Sequence, residues 1–282
     1  MKQFILWGFL LASQFVFAES STGFKLLTTN CKPTLDQQVD SAPQSPPLMI
    51  DDPATPGCNT WEINLTFTGE LNSAEKVFQA PLLDLNYGIG DNLQLKFEMA
   101  RTLTQSTSDQ KAEYSRPKIG LKYLFYDDDM TKLQVSFYPQ IEFSNPLQGG
   151  LNEAFRAGSS ITWPLLLSKK ISESKLGDII LAVNLGYTQA ASMEAGDSGY
   201  FRIGLGLPVL HDVAWMSEVG AVQSFSRAPY LQENSTQFNT GVLVGLSKSV
   251  RFYASCGQEF SSSVDKNTFS ILAGFRLVQT AF

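Results

Sequence analysis

Ionisable side chains of both signs, which could do chemistry, alternate with apolar residues in several stretches of this sequence. Glu62, Asp84 and Lys96 are early examples, each between two apolar neighbours. A spacing of two places such residues on one face of an extended strand. There they could line a water-filled pore and set its selectivity, or pair across a narrow lumen, since an unpaired buried charge is expensive. The predicted lumen-lining set is Glu62, Asp84, Lys96, Glu98, Lys118, Lys122, Glu142, Arg156, Arg202, Glu218, Arg251, Glu259 and Arg276.

Catalysis is the other chemistry that these residue types allow. A hydrolytic serine needs an activating base, usually histidine. The only histidine, His211, lies in Leu210-His211-Asp212, which we interpret as a solvated turn. Carboxylates such as Glu62 and Glu98 could transfer protons, but ion pairing explains them as well. We therefore predict no enzyme and no catalytic residue.

The cysteines do not have the spacing of a metal site. Cys31 and Cys58 flank a proline-rich region and could form a disulfide in an exported protein. Cys256 lies in a predicted strand, where we expect it to pack. The acidic run at 127–129 is interpreted as a solvated turn rather than a cation site. We predict no metal and no cofactor.

The elements that must position these residues are β-strands. Residues 81–100, PLLDLNYGIGDNLQLKFEMA, alternate apolar and polar residues on both sides of a glycine-rich turn, which predicts a hairpin. From Trp61 onwards the same alternation predicts about twelve strands, at 61–68, 81–87, 93–100, 116–126, 132–143, 154–166, 178–188, 199–209, 213–225, 237–246, 250–260 and 268–277.

The connections between these strands alternate in length. Those at 88–92, 127–131, 210–212 and 247–249 are short, and the one at 167–177 takes a corresponding place but is longer. Short periplasmic turns, longer outside loops and an even strand count are typical of outer-membrane barrels. Strands of a soluble β-sandwich are usually about 5–6 residues long, whereas roughly 9–11 residues cross a tilted barrel wall. Residues 61–282 are therefore predicted to form an all-β, antiparallel, transmembrane up-and-down barrel in the bacterial outer membrane.

Both ends of the chain carry further signals. Residues 1–18 combine Lys2, an apolar run and a final Ala18, which predicts a secretory signal peptide. Residues 19–60 are proline-rich and show little periodicity. They form either an extended periplasmic segment, the simpler interpretation, or a plug inside the barrel lumen. The alternation breaks at 278–281, before the terminal Phe282.

Composition restricts the partners. The net charge of −6 argues against a nucleic-acid partner. Only 17% of residues are charged and 12% are aromatic, which fits a wall that faces lipid. We expect contacts with outer-membrane lipid and lipopolysaccharide, and recognition of the C-terminal strand and Phe282 by the barrel-assembly machinery.

Two stretches resemble a known family. Residues 51–65, DDPATPGCNTWEINL, and 81–98, PLLDLNYGIGDNLQLKFE, resemble bacterial outer-membrane β-barrels of largely uncharacterised function, loosely labelled transporters or proteins of the meta-pathway of phenol degradation. The resemblance implies an envelope location and passage of small solutes, hydrophobic or aromatic ones among them. Two functions stay open: a channel or transporter, and a non-conducting envelope barrel with a structural or surface-interaction role.

Overall fold

The first and last strands of the chain pair with each other and close the wall. The computed structural model describes residues 23–24, 41–106, 109–143, 159–190, 196–225, 234–262 and 267–280. Within them, Thr60 of the first strand lies opposite Thr280 of the last, and the antiparallel register continues to Leu71 opposite Phe269. The result is the predicted closed antiparallel barrel of 12 strands. No helix among these residues is long and apolar enough to cross a membrane.

The wall consists of strand segments that follow each other around the barrel. In chain order they are β1 (Thr60–Leu71), β2 (Glu75–Ile89), β3 (Leu93–Ser106), β4 (Gln110–Tyr114), β5 (Lys118–Asp128), β6 (Leu133–Phe137), β7 (Gln140–Glu142), β8 (Ser160–Ser174), β9 (Gly177–Ala190), β10 (Ser198–Leu210), β11 (Val213–Ser224), β12 (Ser235–Gly245), β13 (Val250–Ser261) and β14 (Thr268–Thr280).

Two wall strands are interrupted by proline. Both β4 and β5 pair with β3, and both β6 and β7 lie between β5 and β8. The interruptions fall at Pro117 and Pro139, where the missing N–H breaks the ladder. Segments β4 and β5 therefore act together as one strand of the wall, and so do β6 and β7.

The two faces of the wall differ as the alternation predicts. On β1, Asn64 is fully buried on the inner face, whereas its neighbour Leu65 is 50% exposed on the outer face. A continuous apolar surface of this kind is unfavourable in water and suits hydrocarbon. Outward-facing apolar side chains include Trp61, Leu65, Phe67, Leu95, Ile119, Leu121, Trp163, Leu185, Tyr187, Phe201, Val219, Phe238 and Phe275.

Five short connections lie at one rim, which we call the short-turn rim, whereas the short connections at 72–74 and 107–109 lie at the opposite rim. Those at the short-turn rim occupy residues 90–92, 129–132, 175–176, 211–212 and 246–249. The predicted longer connection at 167–177 was wrong, because β8 continues to Ser174. A register shift between Lys170 and Ser172 explains the error, since a bulge moves later side chains to the opposite face.

The end of the last strand also differs from the sequence interpretation. β14 continues to Thr280, and Val278 is 9% exposed on the inner face opposite Glu62. The alternation of faces therefore extends through Val278, with an apolar residue in an inward position. Phe282 lies outside the described residues.

Residues 41–59, which we call the lumen segment, run inside the barrel. At one end the Asn59 N–H donates to the Gly88 carbonyl over 3.0 Å. At the other end the Ser41 hydroxyl donates to the carbonyl of Asp178, beside the turn at 175–176. Both ends therefore lie at the short-turn rim, and the residues between them reach into the lumen.

An apolar cluster holds the middle of the lumen segment. Leu48 and Ile50 are 2% and 0% exposed. Full burial of such a side chain contributes roughly 1.5–3 kcal/mol. Their partners are the inward-facing residues Ala182, Ala214, Met216, Leu243, Tyr253 and Leu272.

Leu65→Arg tests the assignment of the two faces. Leu65 is near the middle of β1 and faces outwards. A charge there should lower the free energy of unfolding by about 2–4 kcal/mol in lipid vesicles, measured by urea titration.

Leu176→Arg is the matched control, since Leu176 is exposed in the turn at 175–176. It should change the free energy of unfolding by only about 0–1 kcal/mol. An equal decrease in the free energy of unfolding for Leu65→Arg and Leu176→Arg would contradict a lipid-facing outer wall.

Candidate functional site in the barrel lumen

A buried charge network occupies the inner face of β2, β3 and β5. The Lys96 ammonium lies 2.9 Å from the Glu98 carboxylate and 3.5 Å from that of Asp84. Lys118 approaches Glu98 from β5 at 3.0 Å. Lys96 and Asp84 are at most 7% exposed. These predicted lumen residues therefore pair along the wall, between neighbouring strands, rather than across the lumen.

The network continues across the barrel closure to β14. The Arg276 Nε donates to Asn64 Oδ1 over 2.8 Å and lies 3.5 Å from Glu62 Oε1. The Asn64 amide donates in turn to Asp84 Oδ2 over 3.2 Å. A chain of polar contacts thus joins the five neighbouring strands β14, β1, β2, β3 and β5. Such networks hold side chains in one arrangement when they are satisfied.

The remaining predicted lumen residues lie apart from this network. Arg202 stacks over the Tyr200 ring, 4.4 Å from its centroid. Glu142 lies 3.7 Å from Arg116. Glu259 pairs in register with Gln237 and lies nearer the rim opposite the short turns. Arg156 lies outside the described residues. Lys122 and Glu218 contact the lumen segment, and Arg251 lines a cavity beside it.

Two cationic side chains of the wall bind carbonyl oxygens of the lumen segment. Lys122 Nζ donates to the carbonyls of Asp52 and Ala54 over 2.7 and 3.0 Å. Arg276 Nη2 donates to the Pro46 carbonyl over 2.8 Å, and its Nη1 donates to Gln44 Oε1. Hydrogen bonds with a charged donor are roughly twice as strong as neutral ones.

Two serines add neutral donors to the same surface. The Ser136 hydroxyl donates to the Pro53 carbonyl over 2.5 Å, and the Ser255 hydroxyl donates to the Pro47 carbonyl over 2.7 Å. Together with the cations, they reach the lumen segment from β5, β6, β13 and β14. The wall therefore presents mainly donors to acceptor oxygens of the lumen segment.

Glu218 has the opposite role. Its carboxylate accepts hydrogen bonds from the backbone N–H groups of Met49 and Ile50, over 2.9 and 2.7 Å. Asn239 donates to it over 2.6 Å. Glu218 is 1% exposed, so these bonds satisfy a buried charge and two backbone groups that have left water. We call Lys122, Ser136, Glu218, Ser255 and Arg276 the segment-binding surface.

Glycines of the inner wall let the lumen segment approach closely. A Cβ on Gly206 would lie 1.7 Å from the Ser41 carbonyl oxygen, and one on Gly88 would lie 1.7 Å from that of Gly57. Neither distance is sterically possible. At both positions a larger residue would have to move the backbone of the lumen segment.

A polar cavity of about 220 Å³ lies between the lumen segment and the charge network. Its lining combines acids of the segment with both acids and bases of the wall. A cavity with several converging polar groups can hold water or a small polar solute. The charged lining residues are Asp51, Asp52, Glu62, Asp84, Lys96, Lys122 and Arg251.

The other chemistry-bearing residues lie away from this cavity. Cys58, at the base of the lumen segment, is disulfide-bonded, and its predicted partner Cys31 lies outside the described residues. Cys256 is a free, exposed cysteine on β13, and His211 is exposed in the β10–β11 turn. Among the described residues, no group of three or more His, Cys, Asp or Glu side chains could hold a metal ion.

The apolar part of the inner wall was not predicted from the sequence. Met216 and Leu243 face inwards, although strict alternation assigns polar residues to that face. Both lie in short runs that are apolar at consecutive positions, 213–216 and 242–244. Such a run is the available signal, since it makes both faces of a strand apolar.

Solved structures of other proteins share this fold, although sequence comparisons find no match. Neither a protein-family model nor a curated protein sequence matches the chain. Solved structures do match. An outer-membrane channel from Pseudomonas putida F1 has a TM-score of 0.62 at 9% identity, over 78% of this chain and 95% of that chain. The NanC porin has a TM-score of 0.56 at 9% identity, over 76% of this chain and 98% of that chain.

A third structure, the KdgM porin in complex with a disordered oligogalacturonate, has a TM-score of 0.51 at 10% identity, over 78% of this chain and 99% of that chain. These similarities support the porin-type barrel fold. The closed barrel with an apolar outer wall, together with these similarities, places the chain in the bacterial outer membrane.

Lys96→Met tests whether the charge network stabilises the barrel. The variant leaves Asp84 buried without its cation, so the free energy of unfolding should fall by about 3–5 kcal/mol. Urea unfolding in vesicles gives this difference.

Lys111→Met is the control. It removes the same side chain from an exposed pair with Glu113 at 2.7 Å on β4, where an ion pair contributes little. The unfolding midpoint of this variant should match that of the wild type. A Lys96→Met midpoint that also matches would show that the network carries no stability.

Proposed function

We propose that this chain is an outer-membrane channel for small solutes, closed near the short-turn rim by its own lumen segment. The observation that carries the proposal is the way the lumen segment is held. Between Ser41 and Asn59 it contacts the wall through side chains such as Lys122, Glu218 and Arg276. It is not a strand of the wall, so it can leave while the backbone ladders stay intact.

The barrel is wide enough for such a pathway once the lumen segment has moved. Eight strands give an interior that side chains just fill, and diameter grows with strand number. This wall has 12 strands. Its inner side chains pair along the wall, as Lys96 does with Asp84 and Glu98, and therefore do not need to meet in the centre of the lumen.

The solute class follows from the inner wall and from the sequence resemblance. Met216, Leu243 and Tyr253 form an apolar surface inside the lumen, which a hydrophobic or aromatic solute could contact. Barrels linked to the meta-pathway of phenol degradation, which residues 51–65 and 81–98 resemble, fit the same class. We include such solutes in the proposal on these two grounds.

The tether and the partners complete the proposal. A disulfide between Cys58 and Cys31 would anchor the lumen segment beside the short-turn rim. Lipid and lipopolysaccharide would surround the outer wall, and the assembly machinery would recognise β14 together with Phe282. The predicted signal peptide at 1–18 and Phe282 lie outside the described residues.

The second candidate is a non-conducting envelope barrel with a structural or surface-interaction role. Dense contacts between the lumen segment and the wall favour it, since Leu48, Ile50 and Glu218 are all buried. The two candidates differ in whether the lumen segment can be displaced to give a conducting pore.

Gly206→Val separates the two candidates. The new side chain would occupy the position of the Ser41 carbonyl, so it should displace the lumen segment and raise single-channel conductance in planar bilayers. Liposome swelling with small sugars should increase in parallel.

Gly199→Val is the matched control on the same strand. A Cβ there would lie 3.2 Å from the Phe225 ring and clear of the lumen segment, so conductance should stay at the wild-type level. Heat-modifiable gel migration should show that both variants are folded. A folded Gly206→Val barrel with wild-type conductance would favour the non-conducting barrel.

A further inference from the structure

We infer that the segment-binding surface is also the binding site for a small monocarboxylate with an apolar body, and that this ligand competes with the lumen segment. The inference deepens the proposed function, on which it rests for the consequence that ligand binding opens the pore. The binding itself follows from the chemistry of the contacts between the wall and the lumen segment.

Displacement of the lumen segment would leave cationic donors of the wall without acceptors. In the described part of the chain, both hydrogen bonds of the Lys122 ammonium go to lumen-segment carbonyls. The terminal Nη atoms of Arg276 donate to Gln44 and Pro46 of the same segment. Lys122 is 6% exposed and Arg276 is 1% exposed. Without the lumen segment, these cations face the lumen and require new acceptor oxygens.

The apolar cluster of the inner wall lies beside those cations. Ile50 precedes the Lys122-bound Asp52 by two residues, and Leu48 follows the Arg276-bound Pro46 by two residues. Two residues span at most about 7 Å. Each cation contact is therefore close to the pocket that takes an apolar side chain. A ligand that replaces both features needs an acceptor head and an apolar body of about that length.

The two cations determine which charge the head group of the ligand should carry. A neutral alcohol of the same size would fill the apolar pocket but leave Lys122 without a charged partner, and Arg276 would keep only the Glu62 carboxylate at 3.5 Å. A carboxylate accepts charge-assisted hydrogen bonds from either cation, and Arg276 can bind it through two N–H groups. Glu218 keeps the hydrogen bond from Asn239 when the lumen segment leaves. The surface therefore favours a monocarboxylate over the matching alcohol.

Displacement of the lumen segment can be followed at Met49. Its side chain is 52% exposed, so a spin label on Met49→Cys, in a Cys256→Ser background, fits without repacking. The probe is hexanoate, with hexan-1-ol and acetate as controls for the apolar body and the head group. Hexanoate should mobilise the label saturably, and neither control should do so at equal concentration.

Binding can also be measured with the lumen segment already displaced. Calorimetry on Gly206→Val should detect hexanoate, and adding Lys122→Gln should weaken its affinity about tenfold, the worth of one charge-assisted hydrogen bond. Lys111→Gln, at an exposed lysine on β4, should leave affinity unchanged.

The inference is overturned if hexan-1-ol acts as well as hexanoate, if hexanoate neither binds Gly206→Val nor mobilises the label, or if Lys122→Gln leaves affinity unchanged. None of these outcomes depends on whether the barrel conducts. A conducting Gly206→Val barrel that does not bind hexanoate overturns only the ligand inference. A Gly206→Val barrel that binds hexanoate but does not conduct overturns the channel.

Discussion

Every backbone N–H and C=O group in the wall needs a partner within the protein, because hydrocarbon offers none. The pairing of β1 with β14 meets this requirement, since it removes the two free edges that an open sheet would have. The direction of every side chain then follows from the register of this closed ladder. Asn64 and Arg276 meet on the inner face because they are register partners, and the hydrogen bond between them depends on closure.

The inner wall has two chemically different sides, and the lumen segment contacts both. One side, on β14 and β1 to β5, carries the network of Arg276, Asn64, Asp84 and Lys96. The other side, on β9 and β11 to β13, offers the apolar cluster to Leu48 and Ile50. A short peptide suits such a lumen, because its carbonyl groups satisfy cations while its side chains bury apolar area. Neither a purely polar nor a purely apolar segment would do both.

Strand alternation predicted most of the wall because each strand separates lipid from lumen, which makes the pattern strong in residues such as 93–100. The end of β8 was missed at a bulge near Lys170, where the side-chain faces exchange. Charged inward positions such as Asp84 and Lys96 could be predicted for the same reason as the strands. Their partners were not, because pairing depends on which strands are neighbours and on register.

The lumen segment itself was the least predictable part, and its contacts explain why. Residues 41–59 have no periodicity, so neither their path nor their partners follow from local pattern. Its position depends on contacts distant in sequence, such as Arg276 with Pro46 and Glu218 with Ile50. Glycines add a second condition, since Gly206 and Gly88 leave room for the backbone only if the wall is already in register. The lumen segment is therefore specified by the finished barrel, and its contacts can be exchanged for a ligand's while the wall remains closed.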